Sequence, residues 1–268
     1  MKEKENIAGD RVKVTMRGHV ADVRLARPEK LNALDVAMFQ RISDVAAELA
    51  DDRSVRAVVL SGEGKAFCAG IDLECLSSLN RPEGHAALLA RTHGSSNLFQ
   101  NAALAWRQLD VPVIAALHGN VFGGGFQLGL AADIRVADPA SRFSIMETRW
   151  GIVPDMGGTL LMRAYAREDV IRELTYTGKT FTAPEALAFG FVTQVAEEPI
   201  AVALALAEDI AGRSPDAIRA AKRLFNASLP LEPAALARES AEQILLFQGH
   251  NHREAVSANL ERRSPDFR

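Results

Sequence analysis

The stretch HGNVFGGGFQLGLAADIRVAD, His118 to Asp138, decides the reading of this chain. An apolar segment, VPVIAAL (111–117), runs into three adjacent glycines, Gly123, Gly124 and Gly125, and then into an apolar, helix-like stretch. A strand that enters a helix through glycine leaves backbone N–H groups open at the helix start, where negative charge is favoured. The first polar side chain beyond the glycines is an amide, Gln127, rather than a carboxylate. A second turn of the same kind, SGEGKAFCAGIDL (61–73), follows the apolar segment RAVVLSG (56–62).

Neither turn is a familiar phosphate cradle. A P-loop needs Ser or Thr after Gly-Lys, and Gly64-Lys65 is followed by Ala66. A dinucleotide fingerprint starting at Gly62 needs glycine at 67, where Phe67 stands. No G-x-S-x-G nucleophile elbow is present. What is left is two amide-rich turns able to converge on one oxygen atom without a nucleophilic serine.

The bulk numbers fit a globular protein of 268 residues, with 48% hydrophobic and 24% charged residues. A net charge of −3 gives no basic footprint for nucleic acid, and no apolar run reaches the ~20 residues of a membrane span. Cys68 and Cys75 form no C-x-x-C pair, so two reduced thiols in a cytoplasmic protein are expected, not a zinc site or a disulfide. The opening MKEKENIAGDRVKV is charged and does not read as a secretory signal.

Along the chain, RVKVTMRGHVADVRL (11–25) alternates and turns at Arg17-Gly18, which predicts a β-hairpin. Met38, Ile42, Val45 and Leu49 recur at helical spacing behind Asp35, a candidate N-cap. ADIRVA (132–137) and RFSI (142–145) read as short strands. From Thr182 on the pattern is helical, in segments separated by Pro or Gly. The expected class is α/β, with a core over 1–195 and a helical, oligomerising module over 196–268.

Three blocks in order, GEGKAFCAGIDL (62–73), HGNVFGGGFQLGLAADIRVA (118–137) and FSIMETRWGIVPDMGGT (143–159), resemble the crotonase, or enoyl-CoA hydratase/isomerase, superfamily. RPEKLNAL (27–34) and LERRSPDF (260–267) extend the likeness over nearly the whole chain. The resemblance implies a spiral of ββα units with C-terminal helices, assembled as a trimer or a dimer of trimers. It implies an acyl-CoA thioester as substrate, with no separate cofactor and no metal. Two backbone N–H groups, of Ile71 and Gly124 here, would form the oxyanion hole.

Hydratases of that superfamily carry glutamates at the positions of Gln127 and Glu147. Only Glu147 is kept here, and an amide cannot serve as a base near neutral pH. Asp155 matches the place where dienoyl-CoA isomerase-like members carry an aspartate, a partial match because those members also carry an acid at the Gln127 position. The set Gln127, Glu147 and Asp155 therefore suits a proton shuttle, with double-bond isomerisation ahead of hydration. A catalytically silent acyl-CoA-binding protein is the alternative of a different class. Bland roles stay open beside these: a surface pair for Glu147, and a helix cap for Asp155 ahead of MGGTLLMRA.

For CoA and substrate contacts the resemblance points to Lys65, Ala69, Asp72 and Arg262, Asp72 in a loop-holding role. Where relatives often carry a CoA-contacting lysine, this chain has Glu74. The segment 79–100 is expected to shape the acyl pocket. His118 is expected to be packed or hydrogen-bonded, and GHNHRE (249–254) to be a solvated helix start rather than a metal site. Ile244, Leu245 and Phe247 are read as part of an apolar face for assembly.

Overall fold

The structure, a computed structural model, describes residues 11–227 and 232–267. The charged stretch 1–10 lies outside them. The first half of the chain contains β1 (Val12–Arg17), β2 (Val20–Leu25), α1 (Val36–Asp51), β3 (Ala57–Gly62), α2 (Leu73–Leu79), α3 (Pro82–Leu89), α4 (Leu98–Gln108), β4 (Val113–Leu117), β5 (Asn120–Phe122) and α5 (Gly124–Leu130). There follow β6 (Ile134–Ala137), β7 (Arg142–Ser144), α6 (Gly158–Arg163), α7 (Glu168–Thr177), β8 (Thr180–Thr182), α8 (Ala183–Phe189), β9 (Gln194–Val195), α9 (Pro199–Ala211), α10 (Pro215–Ala227), α11 (Pro233–Gln248) and α12 (His250–Glu261).

Successive strands join two sheets by turns. A six-stranded sheet has the order β1-β2-β3-β4-β6-β9, and a three-stranded sheet the order β5-β7-β8. β4 and β6 enter the large sheet, while β5 and β7, each following directly, enter the small one. Of the strand pairs among the described residues, only β1–β2 and β7–β8 are antiparallel. This is the α/β spiral of ββα steps that the sequence blocks imply. The predicted hairpin is present, paired Val12 to Leu25 and Arg17 to Val20. β8 and β9 escape the sequence pattern because strands of two or three residues carry no periodicity.

β3 and β4, central in the large sheet, are buried on both faces, as their unbroken apolar runs require. Val58 and Leu60 of β3 face the main core, whereas Ala57 and Val59 face α9. α9 meets them with Ala203, Ala207 and Ala211, one alanine per helical turn, so helix and sheet approach closely. The C-terminal helices also reach back into the core. Lys222 of α10 is buried on Asp133 at 2.8 Å and on the Trp106 and Val111 carbonyls. Phe247 of α11 is 1% exposed, a core residue stacked on His85, which removes it from the anticipated assembly face; Leu245 remains on the surface. No helix among the described residues is long and apolar enough to cross a membrane.

Candidate active site

The two glycine turns run side by side. The Cys68 N–H donates to the Asn120 carbonyl at 3.1 Å, and the Phe122 N–H returns to the Cys68 carbonyl at 3.0 Å. Asn32, buried and left-handed at φ 56°, anchors the first turn through Nδ2 on the Glu63 and Ala66 carbonyls. Leu34 then pairs beside Gly70 and Asp72, and Arg27 ties Asp72 down at 2.7 Å while donating to the Ala33 carbonyl. Asp72 also caps α2 by accepting from the Glu74 N–H, which ties the loop to that helix.

The same packing explains the three glycines. Gly123 has φ +51°, a region L side chains rarely adopt. At Gly125 a Cβ would stand 2.5 Å from the Cys68 carbonyl oxygen, inside contact distance. A Cβ at Gly124 would press on Met156 Sδ and Leu34 Cδ1. The turns are close enough that a Cβ on Gly70 would lie 3.7 Å from the Gly124 nitrogen. The Ile71 and Gly124 N–H groups, brought together in this way, donate to no oxygen among the described residues.

Glu147 opens a short 3₁₀ turn, Glu147–Trp150, and is only 6% exposed, which rules out a surface pair. Its Oε1 accepts from Gln127 Nε2 at 2.6 Å, and its buried Oε2 has no partner. The carboxyl lies against the glycine turn, since a Cβ on Gly123 would be 3.6 Å from Oε1. Burial pushes its pKa up to about 7; its own N–H and Gln127 offset part of the rise, and the charge of Glu239 adds to it.

The amide at Gln127 has a clear physical use. Its Nε2 donates to Glu147, while its Oε1 accepts from the N–H groups of Met156 and Gly158 at 2.9 and 3.0 Å. An ionised carboxylate could accept on both sides but donate on neither. Gln127 thus joins α5, the Glu147 turn and the start of α6 through one buried side chain.

Asp155 stands just ahead of that start and is not its cap. The N-cap of α6 is Gly157, with no side-chain cap bond of its own, and among the described residues Asp155 makes no hydrogen bond to another residue's backbone. Asp155 keeps intermediate exposure, yet the protein packed around its carboxyl, then the charges of Glu239 and Glu147, raise its pKa well above the usual carboxylate range. Glu239 of α11 was not singled out by sequence. It is one of several charged residues in ARESAEQ; the signal that sets it apart is its helical spacing from Leu236, Gln243 and Phe247, which places it on the buried stripe of α11.

Ala69 is half-buried and fixed by its N–H on the Leu31 carbonyl. Lys65 and Arg262 are exposed, and neither side chain makes an ion pair among the described residues. His118 bonds the Gly64 carbonyl at 3.1 Å through Nε2. The GHNHRE stretch begins α12, but His252 is not solvated: it is 4% exposed, packs edge-on to Phe247 and bonds the Trp150 carbonyl. Among the described residues no group of His, Cys, Asp and Glu is placed to hold a metal ion. A cavity of about 490 Å³ opens between the Thr148–Gly151 turn and α11–α12. Neither open amide lines it, and neither does Glu147 or Asp155, so it is separate from the carboxylate site.

The family profile described as enoyl-CoA hydratase/isomerase matches residues 15–268. Carnitinyl-CoA dehydratase of Proteus mirabilis is 33% identical over 263 residues, covering 95% of this chain and 97% of that protein. The mitochondrial Delta(3,5)-Delta(2,4)-dienoyl-CoA isomerase of Mus musculus is 37% identical over 212 residues, covering 76% of this chain and 64% of that protein. Among solved structures, an enoyl-CoA hydratase/isomerase from Mycobacterium paratuberculosis superposes with a TM-score of 0.85 at 26% identity, over 92% of this chain and 98% of that one.

Proposed function

The chain belongs to the enoyl-CoA hydratase/isomerase family, and we propose that it is an isomerising member, moving a proton along an acyl-CoA thioester through an enolate. In this reading the Ile71 and Gly124 N–H groups receive the thioester oxygen. Glu147 removes a proton from the carbon next to the thioester of a 3-enoyl-CoA. The electron pair moves onto the oxygen, giving a dienolate, and a proton returns at carbon 4 to leave the 2-enoyl product. Donors already in place favour the charged oxygen over the starting carbonyl.

One observation carries the preference for isomerisation. Gln127 donates to Glu147 Oε1 at 2.6 Å, so the acid side chain that hydration would need as a second partner is replaced by a fixed donor. Glu147 is left with one unpartnered oxygen and a pKa near the working range of a base. Asp155, with its raised pKa, is suited to carry the second proton. The kinship with a dienoyl-CoA isomerase supports this assignment, while that with a dehydratase supports the second reading, an atypical hydratase.

Substrate competition separates the two. A 3-enoyl-CoA should be converted to the 2-enoyl isomer faster than water adds to a 2-enoyl-CoA of the same length. Gln127→Glu should move the ratio toward hydration, because it restores the second carboxylate. Faster hydration than isomerisation by the wild type would make the hydratase reading the correct one.

A further inference from the structure

α6 has six residues and no capping side chain of its own. Four successive N–H groups at its start are nevertheless all accepted, alternately, by side chains from two other helices. Gln127 Oε1 takes Met156 and Gly158. Glu239 takes Gly157 at 2.9 Å through Oε2, and the Thr159 N–H at 3.2 Å and hydroxyl at 2.5 Å through Oε1. Gln100 Nε2 also reaches Glu239 Oε2, at 3.3 Å. Glu239 itself is 5% exposed.

We propose that Glu239 is a positioning residue for Asp155: with Gln127 it clamps the turn Met156–Thr159 and so fixes the backbone that carries the adjacent carboxyl. The proposal rests on the reading of Asp155 as a proton carrier. A buried carboxylate is costly unless its lone pairs are filled. Here four donors fill them at a helix start, where negative charge is favoured. A cap alone would need only a neutral acceptor. When ionised, Glu239 adds a charge that both Asp155 and Glu147 sense, raising the pKa of each; burial raises the pKa of Glu239 itself, against which the bonds from Thr159, Gly157 and Gln100 act.

The titratable groups facing one another here are Glu147, Asp155, Glu239 and, from α2, Cys75. Among the described residues Arg91 reaches α11 at Ser240 Oγ, 3.4 Å away.

Glu239→Gln tests the proposal with the full-length protein and 3-hexenoyl-CoA as probe. Turnover should fall about 10–100-fold through misplacement, with KM changed by less than about two-fold. Removing a negative charge lowers the pKa of its carboxylate neighbours, so the acid limb of the pH–rate profile should move to lower pH. Hydrogen exchange at the Gly157 and Thr159 amides should quicken. A role as a cap only would lower kcat and leave the acid limb in place, and that result, or unchanged kcat, overturns the proposal. If Glu239→Gln does not fold, Glu239→Asp keeps the charge but shortens the reach; it should lose turnover with the acid limb unmoved, and full turnover overturns the proposal. If the wild type converts none of the acyl-CoA probes, the enzymatic reading fails separately. The clamp is then judged on amide exchange and on carbon-13 titration of Asp155, and unchanged values in Glu239→Gln overturn it.

Discussion

Glu147→Gln lowers turnover by about 10²–10⁴-fold, the usual consequence of losing a general base. Acyl-CoA affinity stays close to that of the wild type, because the carboxylate acts on the proton rather than on the bound ground state. The change keeps the shape of the side chain and leaves an oxygen to accept from Gln127, so the network behind the site survives. Stopped-flow rates beside calorimetric binding give the two halves of this result. Near-normal turnover would remove Glu147 from the mechanism.

The same variant has a stability signature independent of any substrate. The folded-state pKa of Glu147 is raised, from the ordinary value of 4.5 to about 7. The folded wild type therefore holds this proton more tightly than the unfolded chain does. Below pH 4.5 both states are protonated and the group is neutral toward folding. As pH rises from there through 7 the wild type loses stability, because a charge must be held in a buried place. Glu147→Gln has no such loss. Relative to the wild type, it should gain stability between pH 5 and pH 8 by an amount of order 3 kcal/mol. Melting curves at the two values measure it, and an equal difference at both would show that Glu147 is not perturbed. If Glu147 is the base, the same titration should place the acid limb of wild-type activity near pH 7.

The second large effect is at the glycine turn. Gly124→Pro deletes one of the two open N–H groups, and proline is tolerated at the first position of a helix, which Gly124 occupies. Its ring also presses on Met156 and Leu34, as any Cβ there would. Gly124→Ala supplies that crowding while keeping the N–H, so the ratio between the two variants isolates the donor. Loss of one oxyanion donor costs about 10²–10³ in rate. Gly124→Pro should fall below Gly124→Ala by that factor in kcat. Equal rates for the pair would mean that this amide does not meet the reacting oxygen.

Much of this architecture is legible in the chain because it depends on local patterns. Asp35 reads as the cap of α1, and its carboxylate does accept from the Met38 N–H. The triple glycine reads as an open turn into a helix, and the structure leaves the Gly124 N–H without an acceptor among the described residues. What stays illegible depends on distant partners. Asp155 suits a helix cap as a dipeptide, but two side chains from α5 and α11 already fill that helix start. Glu239 acts 80 residues beyond Thr159, so no window of sequence contains both. His252 looks polar and terminal, yet Phe247 and the Trp150 carbonyl bury it.

In the proposed mechanism a proton leaves the carbon beside a thioester held at the Ile71 and Gly124 amides. Deuterium exchange tests it without requiring the natural acyl group. The wild type is incubated in D₂O with 3-enoyl-CoA esters of several chain lengths, and the esters are analysed by mass spectrometry and NMR. Deuterium should enter the acyl chain at carbons 2 and 4, in step with formation of the 2-enoyl isomer, and Glu147→Gln should suppress it. Esters that bind, as a raised melting temperature shows, but gain no deuterium with the wild type would identify a silent acyl-CoA binder and contradict the mechanism.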